Sequence, residues 1–93
     1  MTEAEYRAVV DFEQNLQVGD TVRICWTCCG TAYAAVATVT KINAKSILAA
    51  INDAIESDYP KGQVIKAPRI ESFRTWSVNN RVEPVGGYEP VEV

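Results

Sequence analysis

Val18-Gly19-Asp20-Thr21-Val22-Arg23-Ile24-Cys25-Trp26-Thr27 begins with a turn and then changes face at every residue. Glycine supplies the permissive backbone of the turn. Beyond it Val22, Ile24 and Trp26 point one way and Thr21, Arg23, Cys25 and Thr27 the other, the period of a half-buried strand. Cys28-Cys29-Gly30-Thr31 turns the chain. Tyr33, Ala35, Ala37 and Val39 then alternate with Ala34, Val36, Thr38 and Thr40. A helix is the rival for this alanine-rich run, but the Thr and Val residues over 36–40 lose rotamer freedom in a helix and favour a strand. Both faces of this second strand are apolar enough to predict cover on both sides, with a helix at the start of the chain as the cover.

That helix is written into the first residues. Thr2 and Glu5 have the spacing of a capping box, and Tyr6, Val9 and Val10 follow at helical spacing. The expected helix runs from about Glu3 to Glu13 and ends near Asn15, with Glu3, Arg7, Asp11 and Glu13 on its outer side. Downstream, Asn43-Ala44 turns the chain into a third strand over 46–51, with Ile47, Ala49 and Ile51 on one face. A long acidic connection closes on Tyr59-Pro60-Lys61-Gly62, a turn signature. A fourth strand spans 63–67, ended by Pro68 or placed by it at a sheet edge. A last strand spans 81–85, and Gly86-Gly87 releases the tail. The domain reading is a helix over 1–15 packed on a barrel over 16–85, with a flexible acidic tail over 86–93. Short strands joined by turns point to a small closed barrel, which also removes exposed edges. Val22, Ile24, Trp26, Val39, Ile47 and Ile51 are the expected core.

With 93 residues, the chain is one domain with little spare volume for a deep pocket. The absence of histidine removes the commonest general base and metal ligand. No apolar run approaches the length of a membrane span and no signal-peptide pattern opens the chain, so the expectation is a cytoplasmic protein without a membrane contact. The net charge of -3 hides alternation: residues 1–20 carry -4, 21–52 carry +3, the Asp53, Glu56 and Asp58 stretch -3, residues 59–82 +4 and the tail -3. A basic body lies between acidic ends, which bears on partners rather than on fold.

Residues 18–24, together with Ala37-Thr38-Val39-Thr40-Lys41-Ile42-Asn43-Ala44-Lys45-Ser46-Ile47, resemble the opening hairpins of small SH3-like barrels, found in KOW-type modules and in short phage and mobile-element proteins. Ser77-Val78-Asn79-Asn80-Arg81-Val82-Glu83-Pro84-Val85 is similar to the single-turn helix and last strand of SH3 domains. The resemblance implies a mainly β (α+β) fold, a small five-stranded SH3-like barrel with an N-terminal capping helix, and a bias toward binding over catalysis. The adjacent aromatics of a polyproline groove and the glycine of the KOW loop are missing, so neither proline-peptide nor ribosomal RNA binding is implied.

Cys25, Cys28 and Cys29 form a C-x-x-C-C run. Zinc takes four ligands, and with no second C-x-x-C a carboxylate or a second subunit would have to complete a site. Small buried thiols are the plainer reading, so no metal, cofactor or catalytic residue is expected. Redox use would favour a helix N-terminus, and this run sits on a strand and turn. Lys61, Lys66, Arg69, Arg74 and Arg81 interleave with Phe73 and Trp76. Trp and Arg dominate interface hot spots, so Arg69, Arg74, Trp76, Asn80 and Arg81 are the expected partner-binding residues. The function expected is a non-catalytic protein-binding module, of the type with which a phage or mobile element blocks a host or defence protein by surface contact. Two alternatives stand beside it: a nucleic-acid-binding SH3-like or KOW-like barrel using residues 61–81, and a small homo-oligomeric assembly subunit packing through its alanine-rich strand.

Overall fold

The computed structural model describes residues 3–55, 59–69 and 80–87. One helix, α1 (Glu3–Gln14), precedes five strands: β1 (Thr21–Cys28), β2 (Thr31–Ile42), β3 (Ser46–Ile51), β4 (Val64–Pro68) and β5 (Arg81–Glu83). All pair antiparallel in one sheet of order β4-β3-β2-β1-β5. The sheet curls into a half-barrel, bringing β4 round toward β1 and β5. The fold is therefore mainly β, with one N-terminal helix. No helix among the described residues is long and apolar enough to cross a membrane.

Alternation decides which face is buried. Val22, Ile24 and Trp26 stand opposite Ala37, Ala35 and Tyr33 on β2, and Ile24 also opposes Val82 on β5. Ile47, Ala49, Ile51 and Ala67 complete the inner face, and all six expected core residues are at most 4% exposed. The register slips once, between Val39 and Lys41. This bulge is why Val39 and Ile42, three apart, can both serve the inner side: Val39 opposes Ala49 and Ile42 opposes Ile47.

The hairpin between β1 and β2 has a loop of two residues, because Cys28 pairs with Thr31. Cys29 has φ 53 and Gly30 φ 80. Positive φ at both centres is the type I′ turn, whose twist matches that of the flanking strands. Pro68 is tolerated because β4 is an edge strand.

Three expectations are corrected. The outer face of β2 is not covered on both sides, since Ala34 and Val36 are exposed. Tyr6 is 42% exposed while Val9 is 1% exposed, so the helix buries only part of the stripe of Tyr6, Val9 and Val10. Its inward side instead runs through Val9, the half-buried Phe12, Glu13 and, just past the helix, Leu16. Glu13 was expected outside and is 5% exposed. The reason lies on the far side of the chain: the Arg69 guanidinium sits against it, with Nε 3.8 Å from Glu13 Oε1 and Nη2 donating to the Glu13 carbonyl. Nη1 of Arg69 donates to the Asn43 carbonyl, tying the end of β4 to the turn after β2. Thr2 of the capping box lies outside the described residues, as do most of the tail residues 86–93.

Candidate functional site

On the outer face, β5 lies beside β1 in a register that sets Glu83 opposite Arg23 and Arg81 opposite Cys25. Alternation turns all four side chains away from the core. They meet in one group. Arg23 Nη1 is 3.3 Å from Glu83 Oε1 and Arg81 Nε is 3.2 Å from Glu83 Oε2. The Cys25 thiol donates to Glu83 Oε1 at 3.7 Å. A carboxylate this buried is costly unless paired, and the two guanidiniums bring the pairing. Burial foremost, then the Glu83 charge, pushes the Cys25 thiol up, while Arg81 and Arg23 oppose the shift. A raised thiol is a poor nucleophile, so Cys25 is built to stay protonated.

Beside this group the small side chains of Ala32 and Ala34 leave a shallow basin of about 260 Å³, with Arg23, Arg81, Cys25 and Thr27 among its lining residues. Val36 continues the strip and is 44% exposed. The Arg23 side chain is 46% exposed. Among the described residues, Arg23 and Arg81 both turn their guanidiniums toward Glu83. Guanidinium forks and an open alanine floor suit a planar anion such as a carboxylate.

The five residues expected to bind a partner divide. Arg81 lies in this basin. Asn80 donates to the Lys66 carbonyl, fastening the approach to β5 onto β4. Arg69 is largely buried and holds α1 and the Asn43 turn. Arg74 and Trp76 lie outside the described residues. Of the three that lie among the described residues, Arg81 alone lines the basin, while Asn80 is tied to β4 and Arg69 is set to internal work. Arg23, Cys25 and Glu83 were not singled out as a site. Their signal is the pair of period-two couplets, Arg23-x-Cys25 and Arg81-x-Glu83, which becomes readable only once β5 is known to neighbour β1.

The inner face of β1 carries an aromatic group next to the basin. Trp26 stacks on Tyr33 with ring centroids 5.6 Å apart and meets Tyr59 edge-on at 5.1 Å. Trp26 is core, as expected, yet its Nε1 is buried without a hydrogen bond. The Tyr59 hydroxyl is near enough to feel that N–H, in a geometry short of a bond. Cys28 and Cys29 are exposed rather than small buried thiols, because they form the hairpin tip, and their sulfurs stand 3.7 Å apart. That contact first, and the charge of Cys28 second, pushes the Cys29 thiol up. Among the described residues no group of three Cys, Asp or Glu side chains is placed to hold a metal ion. No protein-family model matches the chain, and no curated protein or solved structure matches it.

Proposed function

We propose that this chain is a non-catalytic binding module, a small SH3-like barrel that engages a protein partner through the outer face of β1, β2 and β5. The observation that supports this reading is the basin itself: two arginines braced by one buried carboxylate beside an uncovered Ala32, Ala34 and Val36 strip. Bracing fixes the guanidinium forks before a partner arrives, which lowers the entropy lost on binding. An Asp or Glu side chain of the partner would sit at Arg23 and Arg81, with apolar contacts along the strip. Blocking a host or defence protein by surface contact is the physiological form that the likeness to phage and mobile-element barrels supports.

The test is an array of Asp- and Glu-containing peptides probed with the wild-type chain and with Arg23→Ala. Arg23→Ala is chosen because Arg81 and Cys25 remain to hold Glu83. Selective capture of acidic peptides, weakened about tenfold by the substitution, a loss of about 1.4 kcal/mol, supports the reading. Equal capture of acidic and neutral peptides would sink it. A gel shift with single-stranded and duplex oligonucleotides at low salt provides the contrast: retardation abolished by Arg23→Ala would assign the basin to phosphate instead.

A further inference from the structure

We propose that Cys28 and Cys29 form a reversible oxidation site, a dithiol that reduces a low-molecular-weight disulfide and closes into a disulfide between the two neighbouring residues. Their sulfurs stand 3.7 Å apart and both side chains are exposed. Adjacency in sequence does not by itself bring this about, because successive side chains of a strand point to opposite faces. Cys28 is the last residue of β1, and Cys29 is the first of the two turn residues, at φ 53. The change from extended to left-handed backbone between them breaks the alternation and sets the two sulfurs against each other. The tip is open to a small reagent, since no described atom lies within 4 Å of where a Cβ on Gly30 would stand.

The third cysteine does not compete. Cys25 is 6% exposed and donates to Glu83 on the outer face. Three positions separate it from Cys28, an odd number, so the two lie on opposite faces of β1. Burial is foremost in raising the Cys25 thiol, whereas contact with Cys28 is foremost in raising Cys29. At the tip, therefore, the S–H of one sulfur supports the thiolate of the other, and an oxidant in solution meets this pair first.

The step balances with the small disulfide as oxidant. One thiolate of the pair attacks a sulfur of the small disulfide, whose S–S bond breaks; a mixed disulfide forms and the first small thiol leaves. The neighbouring thiolate then attacks the mixed disulfide, forming the bond between Cys28 and Cys29 and expelling the second small thiol. Two electrons pass from the pair to the small disulfide, and the two protons of the pair end on the thiols released. With the sulfurs already in contact, the closing step is intramolecular and outruns capture by another molecule. Neighbouring Cα atoms are ~3.8 Å apart, below the ~4.4–6.8 Å that a disulfide ordinarily spans, so the ring closes with strain and reopens readily when thiol is in excess. That lability separates an oxidation site from a structural disulfide.

The experiment incubates the fully reduced chain with mixtures of glutathione disulfide and glutathione, quenches in acid, alkylates the remaining thiols and weighs the intact chain and its tip peptide. Expected is a monomer that has lost two hydrogens, keeps Cys25 as its one alkylated thiol and returns to three thiols in excess glutathione. Cys25→Ser should oxidise as wild type. Cys28→Ser and Cys29→Ser cannot close the ring and should instead accumulate one glutathione on the remaining tip sulfur, about tenfold more than wild type does. Because the hairpin sets the sulfurs together, the native chain should close about tenfold faster than the same chain unfolded in urea. Three free thiols in excess glutathione disulfide, a lasting glutathione adduct on the wild-type tip, dimers joined through the tip, or equal closure in urea would each overturn the proposal.

Discussion

Glu13 and Arg69 are 56 positions apart in the chain and meet as a carboxylate and a guanidinium largely hidden from water. The pair is long at 3.8 Å, and Arg69 Nε makes no hydrogen bond, so direct bonding between the charges is not what holds it. The remaining nitrogens carry the geometry by donating to the carbonyls of Asn43 and Glu13. Arg69→Met removes the guanidinium from a carboxylate that is only 5% exposed and strips two carbonyls of their donor. The expected loss of stability is about 3 kcal/mol. Arg69→Lys should recover less than half of it, since a point charge cannot serve both carbonyls. Urea unfolding of the three chains checks both figures.

Stability should fall as the solution becomes alkaline. The Cys25 thiol, ordinarily at 9.0, is pushed up in the fold by burial and by Glu83. Between the ordinary and raised values the unfolded chain has lost this proton and the native chain has kept it. Stability is therefore full below about pH 9 and declines above it. Cys25→Ala should flatten the first part of that decline in denaturant midpoints measured from pH 7 upward. A residual limb will remain from Tyr59, whose phenol is also raised. Cys29 contributes less, because the neighbour that shifts it is still its neighbour in the unfolded chain.

Replacing Cys29 by asparagine should make the protein more stable, by about 0.5–1 kcal/mol. Asparagine accepts φ 53 more readily, and no buried contact is lost, since the position is exposed. A higher urea midpoint with an unchanged m-value is the expected signature. A lower midpoint would mean that the thiol supports the turn in a way that its single contact does not explain.

Trp26 gives a contrast between two substitutions. Trp26→Phe keeps a ring against Tyr33 and Tyr59 and deletes an N–H that is buried without a hydrogen bond. An unsatisfied buried donor costs about 1–3 kcal/mol, so its removal should offset most of the lost area and leave stability within about 1 kcal/mol of wild type. Trp26→Ala has no such offset and should lose about 3–5 kcal/mol. Thermal melts of both variants separate the aromatic packing from the orphaned donor.

Local pattern made the strands readable. Val22, Ile24 and Trp26 announce β1 by strict alternation, and Ile47, Ala49 and Ile51 announce β3 in the same way. The helix was placed within a residue or so by its capping signals, but its buried side was misjudged because Glu13 reads as a solvent residue. The cation that meets its carboxylate arrives from position 69, 56 residues further along the chain. The same limit hid the outer-face group. Arg23 and Glu83 are each ordinary polar residues in their own strands, and a local pattern carries no record of which strands will be neighbours. The slip between Val39 and Lys41 left a fainter trace, in the three-residue spacing from Val39 to Ile42.

The sheet order also has a history in time. β1 to β4 join successive neighbours and can zip together as they leave the ribosome, whereas β5 pairs with β1 across a long stretch of sequence, with Cys25 and Glu83 58 positions apart. Long-range pairing of this kind waits for the entropy of a large loop to be overcome. Until residue 83 is synthesised, Arg23 has no Glu83 to brace it and Cys25 has no carboxylate to meet. A nascent or C-terminally clipped chain would therefore present an accessible thiol on the outer face, and thiol-alkylation at position 25 would report whether a molecule had finished folding.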